Sequence, residues 1–290
     1  MAVKPKNAYL SLSLGMLFVI VLPFFSLAQE PPDRFQRREQ KTEEPITIFH
    51  SQQSANLPTA EVLAKGEWLF EISHRFFPPV SAGLSDLWGL DGPVANRFGI
   101  AYALSDRTMI GVLRTNYDDN LEINFKMNLV RGKTGSIPIM IGLMSGIAWN
   151  MSDPGKSGAS HNESQAYGQI MINALLGDRL AFGIVPTLLR NPRIQNSSSG
   201  NALVLGLHGQ IYLSDQLSFL SEWIISEKRP GLTYDSGAFG IELETGGHFF
   251  KIILTNQYRM NPTQFLGGTP YGFGMDEWRF GFNVTRLLTF

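Results

Sequence analysis

The chain has 290 residues and a formal net charge of -1, so its charge balance gives no indication of binding to nucleic acid or to an anionic membrane surface. It contains no cysteine, which excludes disulfides and thiolate metal sites. Charged residues make up 17% of the chain, below the roughly 25% usual for soluble domains. Together with 29 glycines, this low charge is a first indication of a sheet embedded in a membrane.

The first 28 residues have the pattern of a cleavable secretory signal. Two lysines, Lys4 and Lys6, precede an apolar run over residues 8–25, and small residues follow at 26–28. A retained membrane helix would need about 20 predominantly apolar residues, and serines and a proline interrupt this run. No cysteine follows the small residues, so a lipid anchor on a processed N-terminal cysteine is not expected. We expect maturation near Gln29.

Residues 29–64 are predicted to form a periplasmic leader that is partly disordered. The tract Glu30–Pro45 is polar and charged and has almost nothing to bury, so we expect it to be flexible. From Ile46 to Ala64 the composition is mixed, with the apolar stretch ITIF and a short helical pattern at TAEVLAK. This second part is interpreted either as a plug or as an extra strand, and the sequence leaves both alternatives open.

From residue 65 to residue 290 the chain is a succession of segments in which apolar and polar residues alternate. About twelve such segments follow one another, and nearly all reach the roughly 9 to 11 residues that a tilted transmembrane strand needs. They are residues 67–77, 97–104, 107–115, 120–130, 136–150, 165–175, 179–190, 201–213, 216–228, 237–245, 248–257 and 278–289.

The connections between these segments are alternately short and long. Short ones include Ser105-Asp106, the stretch RGKTG, Leu176-Gly177-Asp178, Ser214-Asp215 and Gly246-Gly247. Longer ones, rich in Gly, Pro, Asn and Ser, lie between them, and NYDD is a brief member of this second set. Outer-membrane barrels have this asymmetry, with tight periplasmic turns and long outer loops. An even number of strands places both chain ends on the periplasmic side.

The stretch LEINFKMNL, Leu121 to Leu129, decides which face of the sheet meets water. Its odd positions are apolar and its even positions are charged or amide. A soluble barrel of about twelve strands with its apolar faces inward would enclose a large apolar void. A soluble sandwich of two sheets avoids the void, but strand length and connector asymmetry favour the membrane. The predicted fold is therefore an all-β, antiparallel transmembrane β-barrel of about 12 strands, of the outer-membrane type.

The same alternation predicts which polar side chains face the lumen. Acidic and basic groups are nearly balanced among them, which fits either a weakly selective pore or a set of pairs that closes the barrel. The predicted lumen-facing residues are Glu71, Arg75, Glu122, Asn124, Lys126, Asn128, Glu222, Glu242, Glu244, Lys251, Arg279 and Asn283.

The Gly246-Gly247 turn also predicts a register. A two-residue type I′ hairpin would place Thr245 opposite His248 and Glu242 opposite Lys251.

Aromatic residues are expected to form belts at the two membrane interfaces. Phe76, Trp149 and Trp278 are predicted at the outer rim, and Trp68 and Phe290 at the inner one. Trp223 is predicted nearer the middle of its strand and is the exception. The terminal Phe290 closes an alternating strand, which resembles the C-terminal signal that the barrel assembly machinery reads.

Three stretches, ISHRFFP, GLDGP and NRFGIAYALSDR, together resemble a bacterial family of membrane β-barrels with no assigned function, best represented in Bacteroidetes-type genomes. The resemblance covers roughly Leu57 to the C-terminus. Family members commonly have Gly after HRF, where this chain has Phe77. The resemblance implies a barrel in the outer membrane, and it carries over no catalytic residues.

The sequence offers no strong signal for catalysis or for a metal. The five histidines are scattered without ligand spacing, so we expect no metal site, no cofactor and no catalytic residues. Some outer-membrane barrels of this size are lipases with a Ser, His and Asn arrangement, and Ser73 and His74 are candidates for such a pair. Adjacent strand positions point to opposite faces, however, so these two side chains cannot meet.

The predicted protein is a bacterial outer-membrane barrel, most simply a channel or transporter for a small solute. The first alternative is a plugged barrel that anchors or partners another envelope protein, and the second is a surface enzyme. The expected partners are outer-membrane lipid, the barrel assembly machinery and a small solute, with no nucleic acid.

Overall fold

The computed structural model describes residues 46–152, 164–191, 200–228 and 231–289. The predicted signal segment, the tract Glu30–Pro45 and Phe290 lie outside these residues. Within them, one antiparallel sheet of twelve strands closes on itself, because β1 pairs with both β2 and β12. The prediction of a twelve-stranded antiparallel barrel is confirmed.

The strands follow the predicted alternating segments closely. They are β1 (Trp68–Phe76), β2 (Val94–Ser105), β3 (Thr108–Thr115), β4 (Asn120–Thr134), β5 (Ile137–Asn150), β6 (Gln165–Leu176), β7 (Leu180–Arg190), β8 (Asn201–Tyr212), β9 (Leu217–Ile225), β10 (Ser236–Thr245), β11 (His248–Thr255) and β12 (Arg279–Leu288).

Several strand ends differ from the sequence prediction by a few residues, and two of these differences change an assignment. The stretch RGKTG is mostly strand and not a connector, since Lys133 pairs with Pro138 and only the turn at Gly135 separates β4 from β5. The strand β9 ends at Ile225, three residues earlier than predicted. Trp223 therefore lies near the outer end of its strand, where it contacts Phe273, and it belongs to the outer aromatic belt.

The hairpin between β10 and β11 has the predicted register. Glu242 pairs with Lys251 and Thr245 pairs with His248. Gly246 and Gly247 have φ of 58° and 87°, as a type I′ turn requires at both central positions. This prediction is confirmed, and the reason is local: only glycine takes two successive positive φ values without steric cost.

The outer surface of the barrel is apolar along the length of the strands. Ile123, Ile241 and Ile252 are exposed on it, together with many other large hydrophobic side chains. A contiguous apolar surface of this kind would cause association in water, whereas acyl chains solvate it at no cost. Arg286, also on this face, is exposed near the periplasmic end of β12, where the long side chain can reach the interface.

The segment from Ile46 to Leu63 lies inside the barrel, and we call it the plug. Most of its side chains are buried, including Phe49, Leu57 and Thr59. Of the two alternatives left open by the sequence, the structure takes the plug, since these residues join no strand of the sheet. The predicted leader needs a correction over this stretch: residues 46–64 pack within the barrel unit, which extends from Pro45 to Phe290.

Among the described residues no helix is long and apolar enough to cross a bilayer. The only α-helix that they contain is α1 (Pro262–Phe265), in the long connection between β11 and β12.

Candidate functional site

The candidate site is the interior of the barrel. One side of it, which we call the polar wall, consists of charged and amide side chains on β1, β2, β4 and β9–β12. The structure buries most of the sequence-predicted lumen residues there: Glu71, Arg75, Glu122, Asn124, Lys126, Asn128, Glu222, Glu242, Lys251 and Asn283. These side chains come from positions far apart in the chain, and closure of the barrel brings them together.

Two of the predicted lumen residues lie at the ends of the barrel. Glu244 is half-exposed at the periplasmic rim, where its carboxylate accepts a hydrogen bond from the N–H of Gly247 at 3.2 Å. Arg279 is buried at the outer mouth. Its Nε donates to the carbonyl of Phe77 at 2.8 Å, and its guanidinium lies 3.5 Å from the centre of the Tyr271 ring.

Sequence reasoning missed Arg97, which is central to the polar wall. Arg97 on β2 is fully buried and forms an ion pair with Glu71, and it also donates to the side chain of Gln53 at 3.1 Å. The sequence could have shown it, because side chains alternate along β2. Arg97 takes the same face as Gly99 and Ala101, opposite to the apolar Phe98 and Ile100. The small residues on that face diluted the polar pattern.

The plug is a compact hairpin. Its two ends are joined by Glu61, whose carboxylate accepts the N–H groups of Ile48 at 2.7 Å and Phe49 at 3.1 Å. Further in, the hydroxyl of Thr59 donates to the carbonyl of Ser51 at 2.8 Å. Burial raises the pKa of Glu61 above its ordinary value, although the two N–H groups and nearby cations oppose this effect.

The tip of the hairpin is a tight turn. The N–H of Ser54 donates to the carbonyl of Leu57 at 2.8 Å, and an isolated β-bridge joins Gln53 to Pro58. Side chains of β1, β2, β9, β11 and β12 form hydrogen bonds with the tip. Those of β9, β11 and β12 lie more than a hundred residues away in the sequence. The hairpin thus has its own internal hydrogen bonds and presents the rest of its main chain to the barrel.

The polar wall binds N–H groups of the plug through side-chain oxygens. Glu222 accepts the N–H of Asn56 at 2.9 Å and that of Leu57 at 2.7 Å. Asn173, on β6 outside the polar wall, accepts the N–H of Ala60 at 2.6 Å. Hydrogen bonds to a buried carboxylate are among the stronger ones in proteins, so Glu222 is a major anchor of the plug.

Carbonyl groups of the plug are bound by cationic and amide side chains. Lys126 donates to the carbonyl of Gln52 at 2.9 Å, and Asn128 donates to that of Ala60 at 2.9 Å. The carbonyl of Ala55 accepts from Arg75 at 3.2 Å and from Asn283 at 2.9 Å.

Lys251 and Tyr212 bind further carbonyls. Lys251 contacts the carbonyls of Gln53 and Ser54, the latter at 3.0 Å. The hydroxyl of Tyr212, near the periplasmic end of β8, donates to the carbonyl of Ile48 at 2.6 Å.

Only a few side chains of the plug take part in polar contacts with the wall. The hydroxyl of Ser51 lies 2.9 Å from Glu242 and 2.7 Å from Lys251. The amide of Asn56 donates to Glu222 at 2.9 Å and accepts from Arg75 at 3.0 Å. Gln53 donates to Glu71 at 3.0 Å and accepts from Arg97.

The opposite side of the interior, on β5 to β8, is largely apolar, which the sequence prediction of a wet lumen did not include, although Gln169, Thr187 and Gln210 are also buried there. Ile48, Phe49, Leu57 and Ala60 of the plug pack there against strand side chains, among them Met140, Met171, Val185 and Val204. The blurred alternation around GNALVLGLHGQ has this cause, because Val204 faces inward toward the plug. His208, also inward, stacks on Phe49 with ring centres 4.7 Å apart.

The outer end of the barrel is closed by part of the β11–β12 connection, residues 256–269, which we call the lid. Asn261 and Thr263 are fully buried, as is Phe265 of α1. The amide of Asn261 donates to Asn120 at 2.6 Å, and Phe265 and Leu266 join the same apolar cluster as Leu57 of the plug. Plug and lid therefore meet inside the barrel.

The outer surface of the lid carries an aromatic group. The hydroxyls of Tyr117 and Tyr258 lie 3.0 Å apart, and the guanidinium of Arg259 lies 5.3 Å and 5.4 Å from the centres of the two rings. Burial raises the pKa of Tyr258 above its ordinary value. These contacts fix the lid to the loop between β3 and β4.

Between the plug and the polar wall a small cavity remains. Its volume is about 70 Å³, and residues around it include Ser51, Gln53, Glu71, Arg97 and Lys126. A cavity of this size holds only a few water molecules. This cavity is therefore too small for a solute much larger than water.

The residues considered for other chemistry do not come together. Ser73 faces inward and donates to Glu71 at 2.5 Å, whereas His74 faces outward and packs on Phe282 with ring centres 4.4 Å apart. Their expected placement on opposite faces is confirmed. Within the described ranges no group of His, Asp and Glu side chains is arranged to hold a metal ion.

A closed antiparallel barrel of twelve strands, with an apolar outer surface and a charged interior, defines an outer-membrane β-barrel protein. The chain belongs to a family described as a membrane bound beta barrel domain, DUF5777, which matches residues 49–288. The matched range begins within the plug, so the plug is part of the family's domain. The resemblance to a barrel family of unknown function is thereby confirmed, while its link to Bacteroidetes-type genomes stays a prediction.

Solved structures similar to this chain are also barrels. A NanC porin is 9% identical with a TM-score of 0.46, and the match covers 77% of this chain and 99% of the porin. An outer membrane channel from Pseudomonas putida F1 is 10% identical with a TM-score of 0.48, over 79% and 98% of the two chains.

Outer membrane phospholipase A from Escherichia coli is 11% identical with a TM-score of 0.40, over 78% and 90%. At these values the likeness carries no argument about function. No curated protein matches the sequence.

Proposed function

We propose that the protein is a gated channel for small polar solutes, held closed by its own plug. The observation that carries this proposal is the chemistry of the wall beneath the plug. Replacement of buried charges by well-packed apolar side chains is often neutral or stabilising, so stability alone does not account for buried charges in a permanently filled barrel. This wall instead carries Glu71, Arg75, Lys126, Glu242 and Lys251, all buried.

The plug contacts support displacement as the opening step. On the polar side the plug is held by hydrogen bonds that water can replace when the plug leaves, and the exposed wall would then be hydrated and nearly balanced in charge. A wall of this kind suits a polar solute of low net charge. The lid must also move, because it closes the outer end.

A second candidate function is a permanently plugged barrel that anchors or partners another envelope protein. The apolar cluster that joins plug, lid and strands favours this alternative, because displacement of the plug would expose Phe49 and Leu57 to water. The two functions differ in one measurable property: only the gated channel conducts ions when the plug is released.

The experiment compares two variants of the full chain in planar bilayers. The loosened variant, Ser51→Ala with Asn56→Ala, removes plug side chains that bind Glu242, Lys251, Glu222 and Arg75 and leaves every wall residue intact. We expect it to conduct for a larger fraction of the time than the wild-type protein.

The locked variant, Ala60→Cys with Gly142→Cys, would tie the plug to β5. A Cβ placed on Gly142 lies 3.3 Å from the Cβ of Ala60; the methyl end of Met171 must shift to admit it, and the carbonyl of Met127, at 3.1 Å, must move by a few tenths of an ångström. This separation is close to the roughly 3.5 to 4.5 Å usual for a disulfide. Since the chain has no cysteine, no other disulfide can form within it.

Oxidation of the locked variant should abolish current, and a reducing agent should restore it. Ala60→Cys alone, treated in the same way, is the matched control, and folding of each variant is checked by heat-dependent migration in gels. Equal currents through the oxidised and reduced locked variant would show that the plug is not the gate. Absence of current in all variants, with all of them folded, would favour the permanently plugged barrel.

A further inference from the structure

We infer that the solutes of this channel are short peptides or other compounds rich in amide groups. The inference rests on the proposed gated channel and concerns the class of solute that would take the place of the plug. It follows from how the polar wall binds the plug: mainly through the main chain, which every peptide shares, and only at a few positions through side chains.

The wall engages consecutive main-chain groups. The carbonyls of residues 52–55 each accept a hydrogen bond from a side chain of the wall, and the N–H groups of residues 56 and 57 both donate to Glu222. The wall therefore presents donors to four consecutive carbonyls and an acceptor to the next two N–H groups, along one continuous stretch of main chain. A peptide that enters the same space meets partners for its N–H and C=O groups, whatever its side chains.

The ends of a free peptide also have matching groups. Glu242 and Lys251 lie 3.0 Å apart on neighbouring strands, with Arg75 and Glu222 deeper toward the tip of the plug. An ammonium group can bind the carboxylates, and a carboxylate group can bind the guanidinium or the lysine. The nearly balanced charge of the wall thus fits a zwitterion better than an anion or a cation.

The interior has hydrogen-bonding capacity beyond what the plug uses, both on the polar wall and on β6 and β8 opposite it. Among the described residues, Asn128 Oδ1, Asn173 Nδ2 and both ring nitrogens of His208 are buried without a hydrogen-bond partner. Asn128 and Asn173 already hold the carbonyl and the N–H of Ala60 with their other amide atoms. Each amide can therefore bind a second main-chain group, as a peptide with adjacent donors and acceptors would supply.

The test uses the loosened variant, in which the wall is unchanged. Trialanine is added to the bilayer chamber, and block of the ionic current is measured against concentration. The first control is trialanine methylated on its amide nitrogens, which lacks the N–H donors. The second is a neutral trisaccharide, which has hydroxyls and no amide. Calorimetric titration of the detergent-solubilised loosened variant with the same compounds gives a second readout that does not depend on conduction.

We expect trialanine to block the current, and methylation to weaken the block by about tenfold, as loss of one to two hydrogen bonds would. The trisaccharide should be at least as weak as the methylated peptide. Equal block by all three compounds would overturn the peptide inference and leave the gated channel standing. Calorimetric binding of trialanine without any current in the loosened variant would support the peptide site and overturn the channel. If the loosened variant passes no current and binds no trialanine, both the gated channel and the peptide site are overturned.

Discussion

The carboxylate of Glu222 lies 2.7 Å from the main-chain nitrogen of Leu57, across 165 residues of sequence. The same oxygen accepts the N–H of Asn56, so one buried side chain on β9 binds the turn at the tip of the plug. This contact joins a polar strand position to a segment that belongs to no strand. Contacts of this kind hold the plug in the interior of the barrel.

Glu222→Ala should release the tip of the plug. Two main-chain N–H groups and the amide of Asn56 lose their acceptor, and each hydrogen bond to a charged group contributes about 1.5 to 3 kcal/mol. We expect a loss of about 3 kcal/mol or more in the local stability of residues 54–57, measured by hydrogen exchange of their amides. Glu244→Ala, at the periplasmic rim, is the control and should leave this exchange unchanged.

The stability of the plug should depend on pH through Glu61. Because burial raises the pKa of this carboxyl above 4.5 in the folded protein, the folded state holds the proton more tightly than the unfolded state does. The contribution of Glu61 is therefore most favourable below the unfolded pKa and declines as pH rises toward the folded pKa.

Glu61→Gln tests this sign, since the amide oxygen can still accept the N–H groups of Ile48 and Phe49. Protection of these two N–H groups from exchange, relative to the wild-type protein, should increase from pH 4 upward and become constant above the folded pKa. A difference that runs in the opposite direction would mean that the hydrogen bonds, and not desolvation, dominate the pKa of Glu61.

The buried pair of Glu242 and Lys251 should show strong coupling. Their charged atoms lie 3.0 Å apart with both side chains inaccessible to water, and removal of one partner leaves an uncompensated buried charge. Lys251→Met alone should cost about 3 to 5 kcal/mol in the free energy of unfolding, and the double variant with Glu242→Gln should cost less than the sum of the two single changes. Urea unfolding in detergent measures this cycle, and additivity would contradict the pairing.

The turn between β10 and β11 should require glycine at its first position. Gly246 has φ of 58°, and a Cβ there would contact nothing within 4 Å. A substitution therefore reports backbone strain alone. Gly246→Val should cost about 1 to 2 kcal/mol, and Gly246→Asn less, because Asn tolerates this conformation. Urea unfolding of the two variants gives the comparison, and equal stabilities would contradict the type I′ turn.

Asn256 should hold the lid in place. It is fully buried, and its amide accepts the N–H of Gly237 at 2.8 Å and donates to the carbonyls of Asp235 and Tyr271 at 2.9 Å each. Asn256→Ala leaves these main-chain groups unpaired, so residues 257–270 should become accessible to protease added outside. Ser85→Ala, on the exposed loop between β1 and β2 at the same face, is the control. Unchanged cleavage would mean that the aromatic contacts of Tyr258 suffice to hold the lid.

The sequence was sufficient for the strands, their order and the register of one hairpin. Alternation with a period of two is a local property, and Leu121 to Leu129 shows it without interruption. The Gly246-Gly247 turn fixes the register of β10 against β11, because only two residues separate Thr245 from His248. Most polar side chains of the wall could also be named, although Arg97 and Asn120 were missed, since parity along a strand decides which face each one takes.

The content of the interior could not be read in the same way. Residues 46–64 have no period of either kind, and their partners are Glu222, Lys251, Asn173 and other side chains far along the chain. The apolar side chains that face inward, such as Val204 and Met171, break the expected alternation because they meet the plug and not water.

By itself the sequence determined that this protein is an outer-membrane barrel, and it determined which faces of its strands meet lipid. Only the tertiary structure decided that the barrel is filled, because closure of the sheet creates the enclosed space and brings the donors and acceptors that bind the plug around one short hairpin. Local periodicity determines which face of the sheet each side chain takes. Occupation of the interior depends instead on contacts between residues that the chain separates by as many as 228 positions.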